Sequence, residues 1–528
     1  MRPSSAALAV AAVVSVVFAG CLAPNEPVQI SRTIDPSGTT RIVDAFDEPL
    51  AFAAVAAFGA SDALLAILSA DADGVLHHAT LPPLARWIAV SAAGHETWRS
   101  EAADLPAVAK LAPRPPGSLG AEVAGLSFHA PVLLGKAFLA HQPMTCAAYN
   151  CGASEPVVEI AADGAIYASG TCCIAQSPPV WVSRDGGKTF APLRGDVLRE
   201  SFGIEGDFAI DDAGNVYLFD ISLATAYVAS WDKDGNHRWT VALPGMPVVD
   251  RPWIRAAEEN RVFFLYNGGT QTYFYDSTDG GRTWEHRYSF PAPLGMIGQG
   301  PERDHLWVQA GMRLYESADG GRTWGLGEPI PKPSNSGHRF GDVHQGISGT
   351  PVVDEAGRVW VVYDWRQSSS STDAEPYHVY AARRDPDGAW HGPYRVSPPT
   401  GTHHLPWPAA GRDGTLAMAW YGTLDDARGP NSVSADAAWH VFAAATVNGA
   451  DGVPAFQIAL ADPLPVHYGP MNRALLDFLQ ADLGPDGTLH VAYAENRDRA
   501  KDEATWYVRT PALSFLAPER YPNGPRQP

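Results

Sequence analysis

The sequence predicts an all-β fold in two parts, a small β-sandwich followed by a ring of repeated sheets, and three observations carry that prediction. Glycine and proline are abundant, at 50 and 45 of 528 residues, yet scattered, which suits many short strands joined by tight turns. From about residue 120 onward, a hairpin of apolar strands around an Asp/Gly turn recurs at intervals of roughly 40 to 60 residues, the period of propeller blades. An octamer centred on Asp-Gly-Gly occurs three times in that stretch.

The composition, 45% hydrophobic and 18% charged, supports a large core and more than one domain. Lys and Arg total 38 against 58 Asp and Glu, a net charge of −20, and no basic run follows a phosphate backbone, which argues against a nucleic-acid partner. The N-terminus pairs Arg2 with an apolar run over 6–18, too short to span a bilayer, and reads as a signal peptide over 1–20. Phe18-Ala19-Gly20-Cys21 resembles a lipoprotein signal-peptidase site with Phe18 where Leu is usual. That resemblance implies an exported chain, lipid-anchored through Cys21 at the cell surface with 21–38 as tether, the membrane being met through the lipid alone. Ordinary cleavage near this point and a retained anchor are the alternatives. Cys146, Cys151, Cys172 and Cys173 remain, and in an exported chain they predict two disulfides in any of three connectivities. A zinc site is the runner-up reading of these cysteines, but without CxxC pairs or nearby His spacing no metal site is expected.

Residues 39–113 lack the Trp-rich repeats and end in the Pro-rich linker 114–120. Within them come Arg41-Ile42-Val43-Asp44, Glu48-Pro49-Leu50-Ala51, a turn at Asp71-Ala72-Asp73-Gly74, Leu81-Pro82, and Trp87-Ile88-Ala89-Val90-Ser91 before Ala93-Gly94-His95. This order resembles the carboxypeptidase regulatory-like domain, a transthyretin-like or Ig-like β-sandwich that serves as an accessory module. Asp71 and Asp73 fall short of the ligand number calcium needs and read as a plain β-turn.

The repeated hairpins cover 158–168, 208–218, 352–363, 409–420 and 480–493, with 253–266 a degenerate copy turning at Asn260. A weaker unit is built on Leu306-Trp307-Val308. The count is seven blades within 121–515, with six possible, and 516–528 is left as a tail. The last hairpin has one later strand, over 505–508, so 122–129 is expected to supply the outer strand that closes the ring.

The octamers are Ser183-Arg184-Asp185-Gly186-Gly187-Lys188-Thr189-Phe190, Ser277-Thr278-Asp279-Gly280-Gly281-Arg282-Thr283-Trp284 and Ser317-Ala318-Asp319-Gly320-Gly321-Arg322-Thr323-Trp324. They match the Asp-box (BNR repeat) of sialidase-like propellers. Here the aspartates are structural: the carboxylate accepts backbone N–H groups and the glycines permit positive φ. Asp232-Lys233-Asp234-Gly235 likewise lacks the glutamate of a calcium loop.

In such a propeller the first-hairpin turns and Asp-boxes share one face, and the opposite face forms where inner strands begin. Nine residues before the turn glycine stand Glu155, Glu205, Arg251, Ser348, Leu405 and Phe478. Two positions on stand Val157, Asp207, Trp253, Thr350, Trp407 and Gln480. Loops on that face add Arg339, His404 and Arg473, and Tyr421 follows a second strand. Glu155, Glu205, Asp207 and Tyr421 are the catalytic candidates, and Arg251, Trp253, Arg339, His404, Trp407 and Arg473 the substrate-binding ones, because arginine forks onto carboxylates and indoles stack on sugar rings. The family's early Arg-Ile-Pro element is missing. The resemblance implies a monomeric surface protein that binds or hydrolyses a glycan or another anionic ligand without a cofactor. The rival expectation is a noncatalytic scaffold or carbohydrate-binding propeller.

Overall fold

The computed structural model describes most of 36–112 and 128–510. Residues 1–35, 113–127, 137–153, 172–179, 194–204, 222–225, 244–249, 334–349, 367–374, 497–503 and 511–528 lie outside the described set, with short stretches in 44–97, residue 130 and a few positions in 399–477. Cys21 and all four remaining cysteines fall there, as do Arg339 and Arg473.

Among the described residues the N-terminal part holds two sheets. Thr39–Val43 pairs antiparallel with Val75–His77 and parallel with Val108–Lys110, while Leu64–Ser69, Ala54–Phe58, Trp87–Ser91 and Trp98–Glu101 follow one another in a four-stranded antiparallel sheet. Ile42, Leu76 and Ala109 of the first sheet pack with Val55, Ala57, Ile88 and Val90 of the second into one buried cluster, so the two sheets form a sandwich.

Among the described residues seven antiparallel sheets of four consecutive neighbours follow, the sixth with His467–Tyr468 as a fifth strand, numbered here in chain order by their innermost strands: Ser154–Ile160, Glu205–Ile210, Asp250–Ala256, Met296–Gln299, Thr350–Val353, His403–Ala410 and Gln480–Leu483. Each innermost strand lies against that of the next sheet, and the seventh lies against the first, which closes a propeller. Sheet packs on sheet through both faces, so the second strands cannot alternate polar with apolar residues. Val216–Ile221, Val262–Asn267, Val359–Arg366 and Leu416–Thr423 bury every side chain. The fourth strand of sheet 2, His237–Leu243, buries only its last residue.

The ring is completed by Val132–Lys136, antiparallel to Ala504–Arg509 as the outer strand of sheet 7. The N-terminal segment does supply this strand, later in the chain than expected from the apolar run at 122–129, whose only described members are Phe128 and His129. His129 N–H donates to the Arg509 carbonyl at 2.9 Å, continuing the pairing.

The Asp-boxes sit in the turns after the third strands. Asp279 accepts from Arg282 N–H (3.0 Å), Thr283 N–H (2.9 Å), Thr283 Oγ1 (2.7 Å) and Ser277 Oγ (2.8 Å), and Asp185 repeats the pattern. Gly280 N–H donates to Asn260 O and Gly320 N–H to Asp304 O, which ties the second and third boxes to the first-hairpin turns of their own sheets and puts box and turn on one face. Gly321 has φ 79°, and a Cβ there would collide with the Phe274 ring of the preceding sheet. Asp232-Lys233-Asp234-Gly235 is a β-turn, its Asp232 side chain accepting Asn236 N–H at 2.8 Å.

Candidate functional site

Along each innermost strand alternate residues face the propeller axis, so the axis is lined in tiers. At the first tier, Glu155, Arg251 and Leu405 have φ of 53°, 47° and 58°, each precedes a proline, and each lies at or beside a register break in its sheet. The same bulge therefore opens sheets 1, 3 and 6, and its left-handed residue is strained for a side chain with a Cβ. All three are buried. Arg251 Nη1 lies 3.2 Å from Asp250 Oδ2, which also accepts from Asn267 Nδ2 at 3.1 Å.

The second tier is an aromatic stopper. Trp253 and Trp407 reach each other from sheets 3 and 6 with centroids 5.3 Å apart, and Phe478 lies 5.2 Å from Trp253 and 5.7 Å from Trp407. Buried Asp207, Thr350 and Gln480 share this level.

Beyond the stopper lies a cavity of about 180 Å³, lined from all seven sheets and containing Glu159, Asp207, Arg255 and Asp482. Asp207 is 2% exposed, while Glu159, Arg255 and Asp482, nearer the hairpin turns, are half-buried. The cavity thus opens on the Asp-box face, with Arg303 and Asp212 paired at 3.5 Å in the turns of sheets 4 and 2.

Most polar groups of this chamber are fixed. Asp207 accepts from Ile254 N–H (3.1 Å), Gln480 Nε2 (3.1 Å) and Arg255 Nη1 (3.2 Å). Asp482 accepts from Ile160 N–H (2.9 Å) and Leu483 N–H (2.8 Å), and Gln480 Oε1 accepts from Val158 N–H (3.1 Å), so sheet 7 is stitched to sheet 1 through side chains. Glu159 differs: its carboxyl lines the cavity and makes no hydrogen bond among the described residues. Burial, and then the Asp482 carboxylate, push Glu159 well above the usual carboxylate range. Burial raises Asp482 to about 6 against its own N–H bonds and Arg255. Burial also raises Asp207, opposed by Arg255, Gln480 and Ile254 N–H. The chamber therefore gathers a carboxyl whose hold on its proton is strengthened by burial and by a neighbouring carboxylate, two further buried carboxyls and the Arg255 guanidinium, the components of acid–base chemistry.

Of the residues expected from sequence, Asp207 reaches this chamber and Trp407 lines it. Trp253 and Trp407 contact each other, with 1% and 5% exposure, and offer no open ring face for a sugar. Tyr421 is buried between sheets 6 and 7, where its oxygen accepts Ala494 N–H at 2.9 Å. His404 Nδ1 lies 2.5 Å from Asp364 Oδ2, both buried, as a tie between sheets 6 and 5. Glu205 starts sheet 2, and its side chain lies outside the described set. Glu159, Arg255 and Asp482 were missed, although they stand two residues further along the same alternation as Val157, Trp253 and Gln480.

A second opening, about 850 Å³, lies on the opposite face at sheet 6, between the loop joining its second and third strands and the segment around Leu464–Tyr468. Asp426 organises the loop by accepting from Arg428 Nε (2.9 Å) and Nη2 (2.5 Å), Ser434 N–H (2.8 Å) and Ser434 Oγ (2.8 Å). Among the described residues no group of three or more His, Cys, Asp or Glu is placed to hold a metal ion, and no helix is long and apolar enough to cross a membrane.

No family model matches the chain, and no curated protein does. Among solved structures, the GH93 α-L-arabinofuranosidase of Fusarium graminearum with arabinobiose is similar over 74% of this chain and 99% of its own, with 12% identity and a TM-score of 0.42. The α-L-arabinanase of Penicillium chrysogenum with arabinobiose follows at 72% and 98%, 14% identity and 0.39. The fucose-specific lectin of Aleuria aurantia covers 60% and 98%, at 12% identity and 0.35. Enzymes and a lectin stand together here, so chemistry has to be argued from the residues themselves.

Proposed function

We propose that this chain is a glycan-active propeller whose axial chamber removes a terminal sugar, with Glu159 as proton donor and Asp482 as the ionised partner. One observation carries the reading: Glu159 is the cavity carboxyl without a described hydrogen-bond partner, and burial and the Asp482 carboxylate raise its hold on a proton above that of an ordinary carboxyl. A carboxyl with a raised hold on its proton next to a second carboxyl is what glycoside hydrolysis requires. The volume of about 180 Å³, roughly six waters at about 30 Å³ each, is on the scale of one sugar ring and favours action at a chain end. Arg255 supplies a donor for a ring hydroxyl or a sugar carboxylate. This places the chemistry on the Asp-box face, opposite to the face favoured by sequence. The three Asp-boxes support the sialidase-like reading of the repeats, and Cys21 supports anchoring at a cell surface.

The rival is a noncatalytic propeller. It is favoured by Asp207 and Asp482, whose oxygens bridge neighbouring strands as structural ties do. Purified protein is to be assayed on aryl sialosides, arabinofuranosides and common pyranosides. Turnover that falls 10²- to 10⁴-fold in Glu159→Gln, with KM little changed, supports the enzyme. Wild-type binding without turnover of any glycoside supports the rival.

A further inference from the structure

The opening on sheet 6 is a built site. Its walls are fixed independently of any ligand: Asp426 locks the loop on one side, while Val466 N–H to Trp439 O (2.7 Å) and Trp439 Nε1 to Gly469 O (2.9 Å) hold the other side to the strand Ala438–Thr446. Between them lies His440, which lines the opening with 2% exposure. Its Nδ1 is buried without a hydrogen-bond partner, and neither ring nitrogen bonds to a described residue. An imidazole kept in that state costs stability unless something in the groove bonds to it.

The charges define the complement. Arg428 hydrogen-bonds Asp426 and is also attracted by Asp436, while the exposed carboxylates of Asp425 and Asp436 make no hydrogen bond among the described residues, so three carboxylates stand against one guanidinium and the groove has an excess of two negative charges. Tyr468 and Leu464, 40% and 45% exposed, form an apolar shelf on one wall. A volume of about 850 Å³ lies within the range of small-molecule pockets, roughly 300 to 1,000 Å³, and exceeds the axial chamber several-fold.

We infer that this groove binds an amino-sugar segment, with ammonium groups on Asp425 and Asp436, a ring face on Tyr468 and a hydroxyl on His440. The inference takes its ligand class from the glycan reading above but does not depend on the axial chamber. Binding is measured by calorimetry on the full mature chain with a fully deacetylated glucosamine tetramer, its N-acetylated counterpart and polylysine, each at low and high salt. The deacetylated tetramer binds, and salt weakens it. Asp425→Asn with Asp436→Asn lowers affinity about tenfold, since each surface pair contributes modestly. Tyr468→Ala lowers it several-fold, while Glu159→Gln leaves it unchanged. Equal affinity for the N-acetylated tetramer, binding of polylysine alone, or no binding overturns the inference. If glycoside turnover is absent yet the groove binds as stated, the axial reading fails and this one stands.

Discussion

Replacing Asp482 with asparagine reverses the sign of its stability effect between acid and mildly alkaline pH. Burial lifts this carboxyl from 3.8 to about 6 in the fold. A raised acid takes up its proton more readily folded than unfolded, so folding stability declines as pH climbs from about 4 to about 6 and stays lowered above. Roughly two pH units correspond to about 3 kcal/mol. An amide at this position carries no charge and removes that penalty, and it also relieves Glu159, which the Asp482 carboxylate pushes upward. Against this, Asp482 accepts two N–H bonds, from Ile160 and Leu483, and losing the better part of one costs about 1 kcal/mol. Asp482→Asn should therefore be about 2 kcal/mol more stable than wild type at pH 8 and about 1 kcal/mol less stable at pH 4. Urea unfolding followed by tryptophan fluorescence at several pH values gives both curves. Parallel curves, or a variant weaker at every pH, would show that the carboxyl is not held high and would remove the physical basis for acid–base chemistry in the chamber.

Two further outcomes follow from other parts of the chain. Cys21→Ser should release the mature protein from membranes into the medium, and retention of the variant after a high-salt wash with export intact refutes lipid anchoring. Asp279→Ala removes four accepted bonds at about 1 kcal/mol each, partly replaced by water, so stability to denaturant should fall by roughly 2 to 3 kcal/mol while turnover per folded molecule is kept. Selective loss of turnover at unchanged stability would contradict a structural role for the Asp-boxes.

Much of the fold was legible because its signals are local. Turn residues such as Asp163-Gly164 and Asp486-Gly487 mark hairpins, and an Asp-box encodes its own geometry within eight residues. The site was less legible, since it is assembled from strands far apart in the chain. Aligning hairpins on the turn glycine did place Asp207, Trp253 and Trp407 on the axis. It could not show that the indoles meet and close it, because that depends on how far sheets 3 and 6 stand from each other. Glu159 and Asp482 lie next along the same alternation, and their importance appears only once the stopper has closed the axis above them. The groove on sheet 6 left no periodic trace, because Asp425, Asp436 and His440 belong to one loop and the strand after it.

The pairing of Lys136 with Ala504 puts into one sheet strands that lie on either side of the six other sheets in the chain. Six sheets can form from contiguous chain as it appears. The seventh cannot, and until the residues up to Arg509 exist, the early strand has no partner while the first sheet lacks its neighbour across the seam. Ring closure therefore waits for the strand Ala504–Arg509, and it is slow because it joins the first and last strands of the propeller. Loss of the strand Ala504–Arg509 would leave two unpaired strand edges facing each other across a gap, a geometry that invites pairing with a second molecule.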